Sequence, residues 1–110
     1  MLRKSLKILV VALLFVTTSA NAERAELRRH IVTADGHPIA LWEKSAAGAT
    51  ESILLVHGRT WSALPDFDLQ LAGEDLSMMD SLVDEGYAVY AVDLRGYGET
   101  PRDKTEWLTP

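Results

Sequence analysis

The stretch Leu54-Leu55-Val56-His57-Gly58-Arg59-Thr60-Trp61-Ser62 changes character at its middle. Ile53 to Val56 is an unbroken apolar run that meets a histidine and then a glycine. An apolar run without alternation predicts a strand buried on both faces, as in a parallel sheet covered by helices. Gly58 ends it, and a sixteen-residue connection opens, from Gly58 to Gly73. A structureless connection of this length is uncommon in a compact domain and is often functional.

Working outward, Tyr87-Ala88-Val89-Tyr90-Ala91-Val92 is a second run of the same kind, followed by the loop Asp93-Leu94-Arg95-Gly96-Tyr97-Gly98. Between the two runs, Leu76, Met79, Leu82 and Val83 fall on one helical face. Asp75 is expected to cap that helix, Asp80, Asp84 and Glu85 to face water, and Gly86 to end it. Strand, helix and strand of this size predict a right-handed parallel crossover. Upstream, His30–Thr33 and Ile39–Glu43 read as two strands joined by the turn residues Ala34–Pro38, an antiparallel hairpin. The expected fold class is α/β, with a mixed sheet: an antiparallel edge and a parallel centre. Sites on such sheets form at the carboxyl ends of the parallel strands, here His57-Gly58 and Asp93.

The first 22 residues stand apart. A basic start (Arg3, Lys4, Lys7), an apolar run from Ile8 to Val16 and the small-x-small Ala20-Asn21-Ala22 have the layout of a secretory signal peptide. The apolar run is too short for a spanning helix, which needs about 20 residues. Export with cleavage near Ala22 and no stable membrane anchor is therefore expected. Residues 23–110 form the remaining domain, with eight basic against sixteen acidic residues, a formal charge of −8. That balance disfavours nucleic acid and anionic lipid as partners. The chain has no cysteine, which excludes disulfides and thiolate metal sites.

Three chemistries can be weighed at the strand ends. A Rossmann-type nucleotide site needs a glycine-rich turn after the first strand, but Gly58 is followed by Arg59, Thr60 and bulky Trp61. A complete triad from His57, Ser62 and Asp93 lacks the sharp Gly-x-Ser-x-Gly turn that presents a nucleophile, and Ser45, Ser52, Ser77 and Ser81 lack it too. An oxyanion hole fits better. Acyl-transfer enzymes take one backbone N–H donor from a loop after a central strand. Glycine allows a tight turn there and close approach of substrate. The donor would be the N–H of Arg59, or else of Thr60. Elsewhere one such donor lowers the barrier by about 3–4 kcal/mol.

Ile53-Leu54-Leu55-Val56-His57-Gly58, followed by Tyr90-Ala91-Val92-Asp93-Leu94-Arg95-Gly96-Tyr97-Gly98, resembles the amino-terminal half of an α/β-hydrolase-fold enzyme of the esterase or lipase kind. The resemblance runs from about Arg29 to Arg102. It departs at Thr100, where the family's Asp-x-Arg-Gly-x-Gly-x-Ser segment has serine. It implies a hydrogen-bonding, loop-shaping role for His57, Gly58, Asp93, Arg95, Gly96 and Gly98, and no catalytic role for Asp93. Trp61, Leu64 and Phe67 are expected to form one wall of a substrate pocket, or else to cover the sheet edge.

The same resemblance puts nucleophile, acid and histidine after the next helix, beyond Pro110. The 110 residues are thus expected to be part of a longer domain, with no catalytic residue of their own. The implied reaction is hydrolysis of a small ester without metal or cofactor. A non-catalytic secreted binding protein, or a dehalogenase or epoxide hydrolase with Asp as nucleophile, are the alternatives that the elbow residue would decide.

Overall fold

The computed structural model describes residues 24–104. The export signal read at residues 1–22 lies outside them. The order of elements is β1 (Arg28–Ala34), β2 (His37–Ser45), β3 (Ser52–Val56), α1 (Ala63–Phe67), α2 (Met78–Asp84) and β4 (Ala88–Val92). They build one four-stranded sheet in the order β1-β2-β4-β3. β1 and β2 are antiparallel, β2 and β4 antiparallel, and β3 and β4 parallel. This is the mixed sheet that the residue pattern predicts.

The hairpin turn lies at Asp35 and Gly36, both with positive φ (51° and 76°), a conformation that Asp and Gly adopt at little strain. β2 is longer than its sequence suggests, because His37 and Pro38 continue the ladder, pairing with Ala34 and Thr33.

Register decides which side chains meet. Trp42 lies opposite Ala91, and Leu55 opposite Ala91 on the other side, so these residues share a face. On that face Trp42, Ala63, Met79, Val89 and Ala91 form the buried core, with Leu55, Leu64, Phe67, Leu82 and Val83 packed against it. β3 departs from expectation. It is an edge strand among the described residues, and only Ile53 and Leu55 are partly covered; Leu54 and Val56 are 60% and 54% exposed. Full burial of an apolar strand requires a layer on each face, and β3 has helices on one.

The connection after β3 is not structureless. Residues 63–67 make the single turn α1, with fully buried Ala63 at its start. α2 begins later than Asp75. Its N-cap is Ser77, whose Oγ accepts from Asp80 N–H at 3.0 Å. Its end has the paired bonds of a Schellman motif: Gly86 N–H to Val83 O and Tyr87 N–H to Leu82 O, with Gly86 at φ 100°.

Asp80 is the main correction to the helical reading. It is buried, not solvated, because Lys44 comes up from the sheet to meet it at 2.7 Å. Among the described residues no helix is long and apolar enough to cross a membrane.

Candidate active site

β3 and β4 run parallel and in register, Val56 beside Val92. Their carboxyl ends therefore deliver His57 and Asp93 to the same edge of the sheet. Both are buried. The two residues organise the loops that follow them.

His57 Nε2 accepts a hydrogen bond from Leu94 N–H at 3.0 Å, so that nitrogen carries no proton. The ring proton then lies on Nδ1, which donates to the Gly58 carbonyl at 2.7 Å. Tyr97 meets the ring edge-on, with centroids 5.1 Å apart. Both ring nitrogens are engaged by backbone, so neither serves Ser62 or Asp93, and the three do not form a triad.

The Gly58 carbonyl has a consequence for its peptide. In a trans peptide C=O and N–H point in opposite directions, and no cis bond occurs among the described residues. With the carbonyl turned to the His57 ring and also accepting Trp61 N–H at 3.5 Å, the Arg59 N–H points away from both. Arg59 and Thr60 are exposed, and among the described residues neither amide has a hydrogen-bond partner. Gly58 itself has no positive φ, and a Cβ there would meet nothing within 4 Å. The turn does not require glycine for its conformation; the remaining reason for glycine is open space beside the backbone.

Asp93 ties three segments together. Its Oδ1 accepts Ala63 N–H at 2.8 Å, and its Oδ2 accepts Trp42 Nε1–H at 2.9 Å and Glu99 N–H at 3.0 Å. Its negative charge is met by three N–H dipoles, which is how an isolated carboxylate tolerates burial. One oxygen holds the start of α1, and the other holds the sheet and the β4 loop.

Thr100 takes the position where the resemblance expects serine. Its hydroxyl donates to Asp93 O at 2.6 Å and accepts Ala40 N–H at 2.8 Å, and the residue is buried. A threonine hydroxyl makes both bonds within this turn. Gly96 and Gly98 have φ of 80° and 50°. A Cβ at Gly98 would overlap the Asp93 carboxylate. Arg95 points back to the hairpin turn, donating to Ala34 O at 3.1 Å and lying 3.7 Å from Asp35 and 3.6 Å from Asp103.

The apolar residues of the connection divide. Leu64 and Phe67 pack against the core, whereas Trp61 is 60% exposed beside the turn. A shallow groove of about 500 Å³, lined by Arg24, Ser45, Ala46 and Val83 among others, lies where β2 ends and β4 begins. That is the opposite end of the sheet from His57 and Asp93.

Sequence reasoning missed a buried polar cluster. Lys44 Nζ lies 2.6 Å from Asp68 Oδ1 and 2.7 Å from Asp80 Oδ1. Gln70 Nε2 donates to both carboxylates, and Ser77 Oγ donates to Asp68. Burial pushes the Asp80 carboxyl up, but the bonds from Lys44 and Gln70, with the charges of Lys44 and Arg24, outweigh it and hold it below the usual aspartate value. A signal was present: Ala40, Trp42 and Lys44 alternate along β2, so Lys44 shares the core face of Trp42.

No protein-family model and no curated protein matches the sequence. Solved structures do resemble it. A thioesterase domain from the curacin biosynthetic pathway aligns with 72% of this chain and 24% of its own, at 21% identity and a TM-score of 0.54. A CIB-like hydrolase from Thermoplasma acidophilum aligns with 73% of this chain and 35% of its own, at 20% identity and a TM-score of 0.56. An epoxide hydrolase from Vigna radiata aligns with 73% of this chain and 21% of its own, at 22% identity and a TM-score of 0.52. The chain thus spans between 21% and 35% of the length of these neighbours. At such identity the likeness is one of fold. The four strands and two helices described here are the amino-terminal part of an α/β-hydrolase fold.

Proposed function

We propose that this chain is the amino-terminal part of an exported hydrolase that cleaves small esters by acyl transfer. The Arg59 N–H, with Thr60 N–H as the alternative, donates to the oxyanion of the tetrahedral intermediate. The observation that carries this reading is the outward Arg59 amide at the carboxyl end of β3, set by the His57 bond to the Gly58 carbonyl. Preorganised donors of this kind stabilise charge that develops only in the transition state. His57, Asp93, Arg95, Gly96 and Gly98 shape the loops and take no part in proton transfer. Trp61 lines the substrate side of the turn. Nucleophile, acid and base come from outside the 110 residues, which by themselves do not hydrolyse esters. Residues 1–22 direct export and are removed near Ala22.

The test is p-nitrophenyl ester hydrolysis by the product of the whole reading frame that contains this chain, with Arg59→Pro as the variant. Proline removes the N–H, and loss of one oxyanion donor lowers kcat by about 10²–10³-fold. A variant as fast as the parent would refute the assignment of Arg59. Epoxide opening is the second reading, favoured by the likeness to the Vigna radiata epoxide hydrolase; turnover of epoxides but not esters by the same product would replace the first reading with it.

A further inference from the structure

α1 is a five-residue helix, too short to hold itself in place. Its position comes from tertiary anchors at its two ends. Ala63 N–H at the start is held by Asp93 at 2.8 Å. Asp68, the C-cap, is held by the Lys44 ammonium at 2.6 Å. The same ammonium reaches Asp80 in the first turn of α2 at 2.7 Å, so one cation on β2 joins the far end of α1 to the start of α2. The cluster is closed: Gln70 bridges both carboxylates, Ser77 donates to Asp68, and among the described residues no buried side-chain polar atom is without a partner. It therefore offers no ligand site. Buried ion pairs of this kind are often no more stable than an apolar substitute, and their best-attested use is to fix one arrangement over others. The five residues 58–62, which carry the candidate oxyanion donors, lead directly into α1.

We propose that Lys44 is a positioning residue: by clamping Asp68 and Asp80 it fixes α1, and through α1 the turn at residues 58–62. This rests on the oxyanion reading for its functional meaning, but its structural content is independent of that reading.

Trypsin reads it directly. Arg59 is exposed and is the one basic residue between Lys44 and Arg95, and cleavage after it requires the turn to leave its seat. Cleavage after Arg29, in β1, reports the sheet. The product of the whole reading frame that contains this chain and its Lys44→Met variant are digested under native conditions and the fragments followed by mass spectrometry. We expect cleavage after Arg59 to accelerate at least about tenfold relative to cleavage after Arg29. Equal acceleration of both sites in a folded variant would make Lys44 a general stabiliser and overturn the proposal, as would no change at Arg59. If Lys44→Met does not fold, Asp68→Asn, which keeps the shape and removes one charge, is judged by the same ratio. Ester turnover enters neither measurement, so failure of the clamp and failure of the oxyanion assignment are separately visible.

Discussion

Replacing Asp93 by asparagine tests whether one carboxylate holds the two loops together. The wild-type group accepts three N–H bonds, two at Oδ2 from Trp42 and Glu99 and one at Oδ1 from Ala63. An asparagine can place its carbonyl oxygen at the Oδ2 position and keep two of them. Its NH2 then faces Ala63 N–H, donor against donor. Hydrogen bonds to a charged acceptor contribute about 1.5–3 kcal/mol each, and an unsatisfied buried donor costs about 1–3 kcal/mol. One bond is lost and two are weakened, so Asp93→Asn should destabilise by about 2–4 kcal/mol, a large share of the roughly 5–15 kcal/mol by which folded domains are stable. With a urea slope near 1 kcal/mol/M, the unfolding midpoint, followed by far-ultraviolet circular dichroism at pH 7, should fall by about 2 M or more. A midpoint within about 0.5 M of the parent would show that the three bonds contribute little and that the loops are held by something else.

Other outcomes follow from the same geometry. Gly98→Ala should cost about 2–4 kcal/mol, because φ is 50° and the new Cβ overlaps a carboxylate pinned by three bonds, whereas Gly58→Ala, with open space and no positive φ, should change stability by under about 0.5 kcal/mol; equal urea midpoints for the two variants would refute this contrast. Acid should destabilise the fold through two carboxylates. Burial raises Glu43, but the bonds from His30 and Ser45 and the charges of His30 and Arg28 hold it below its ordinary 4.5, and Asp80 likewise lies below its ordinary 3.8. A carboxylate lowered in the folded state contributes stability that is fully present above its unfolded value and is lost as pH falls through its folded one. The melting temperature should therefore hold above about pH 5 and drop below about pH 4.5, with a shallower drop in Glu43→Gln; an unchanged slope in that variant would remove Glu43 from the account. Because β3 is the edge strand among the described residues, with Leu54 and Val56 exposed, the 110-residue chain should self-associate with concentration in sedimentation velocity, and a monodisperse monomer would contradict that.

Much of the fold is local chemistry and could be read from residues in order. The apolar runs ending at Val56 and Val92, the Asp35-Gly36 turn and the Gly86 helix stop each depend on neighbours a few positions away, and each is found where its pattern puts it. The two motifs His57-Gly58 and Asp93 to Gly98 likewise mark the loops at one end of the sheet. Tertiary structure alone decided the rest. Asp80 looks solvated on a helical face until packing brings Lys44, 36 positions away, within 2.7 Å and gives the buried carboxylate a partner. The three donors to Asp93 come from positions 42, 63 and 99, a convergence no local period encodes. The reason is physical: backbone turns and apolar periodicity are set by short-range sterics and solvation, but a buried charge is tolerated only where its partners arrive from elsewhere in the chain.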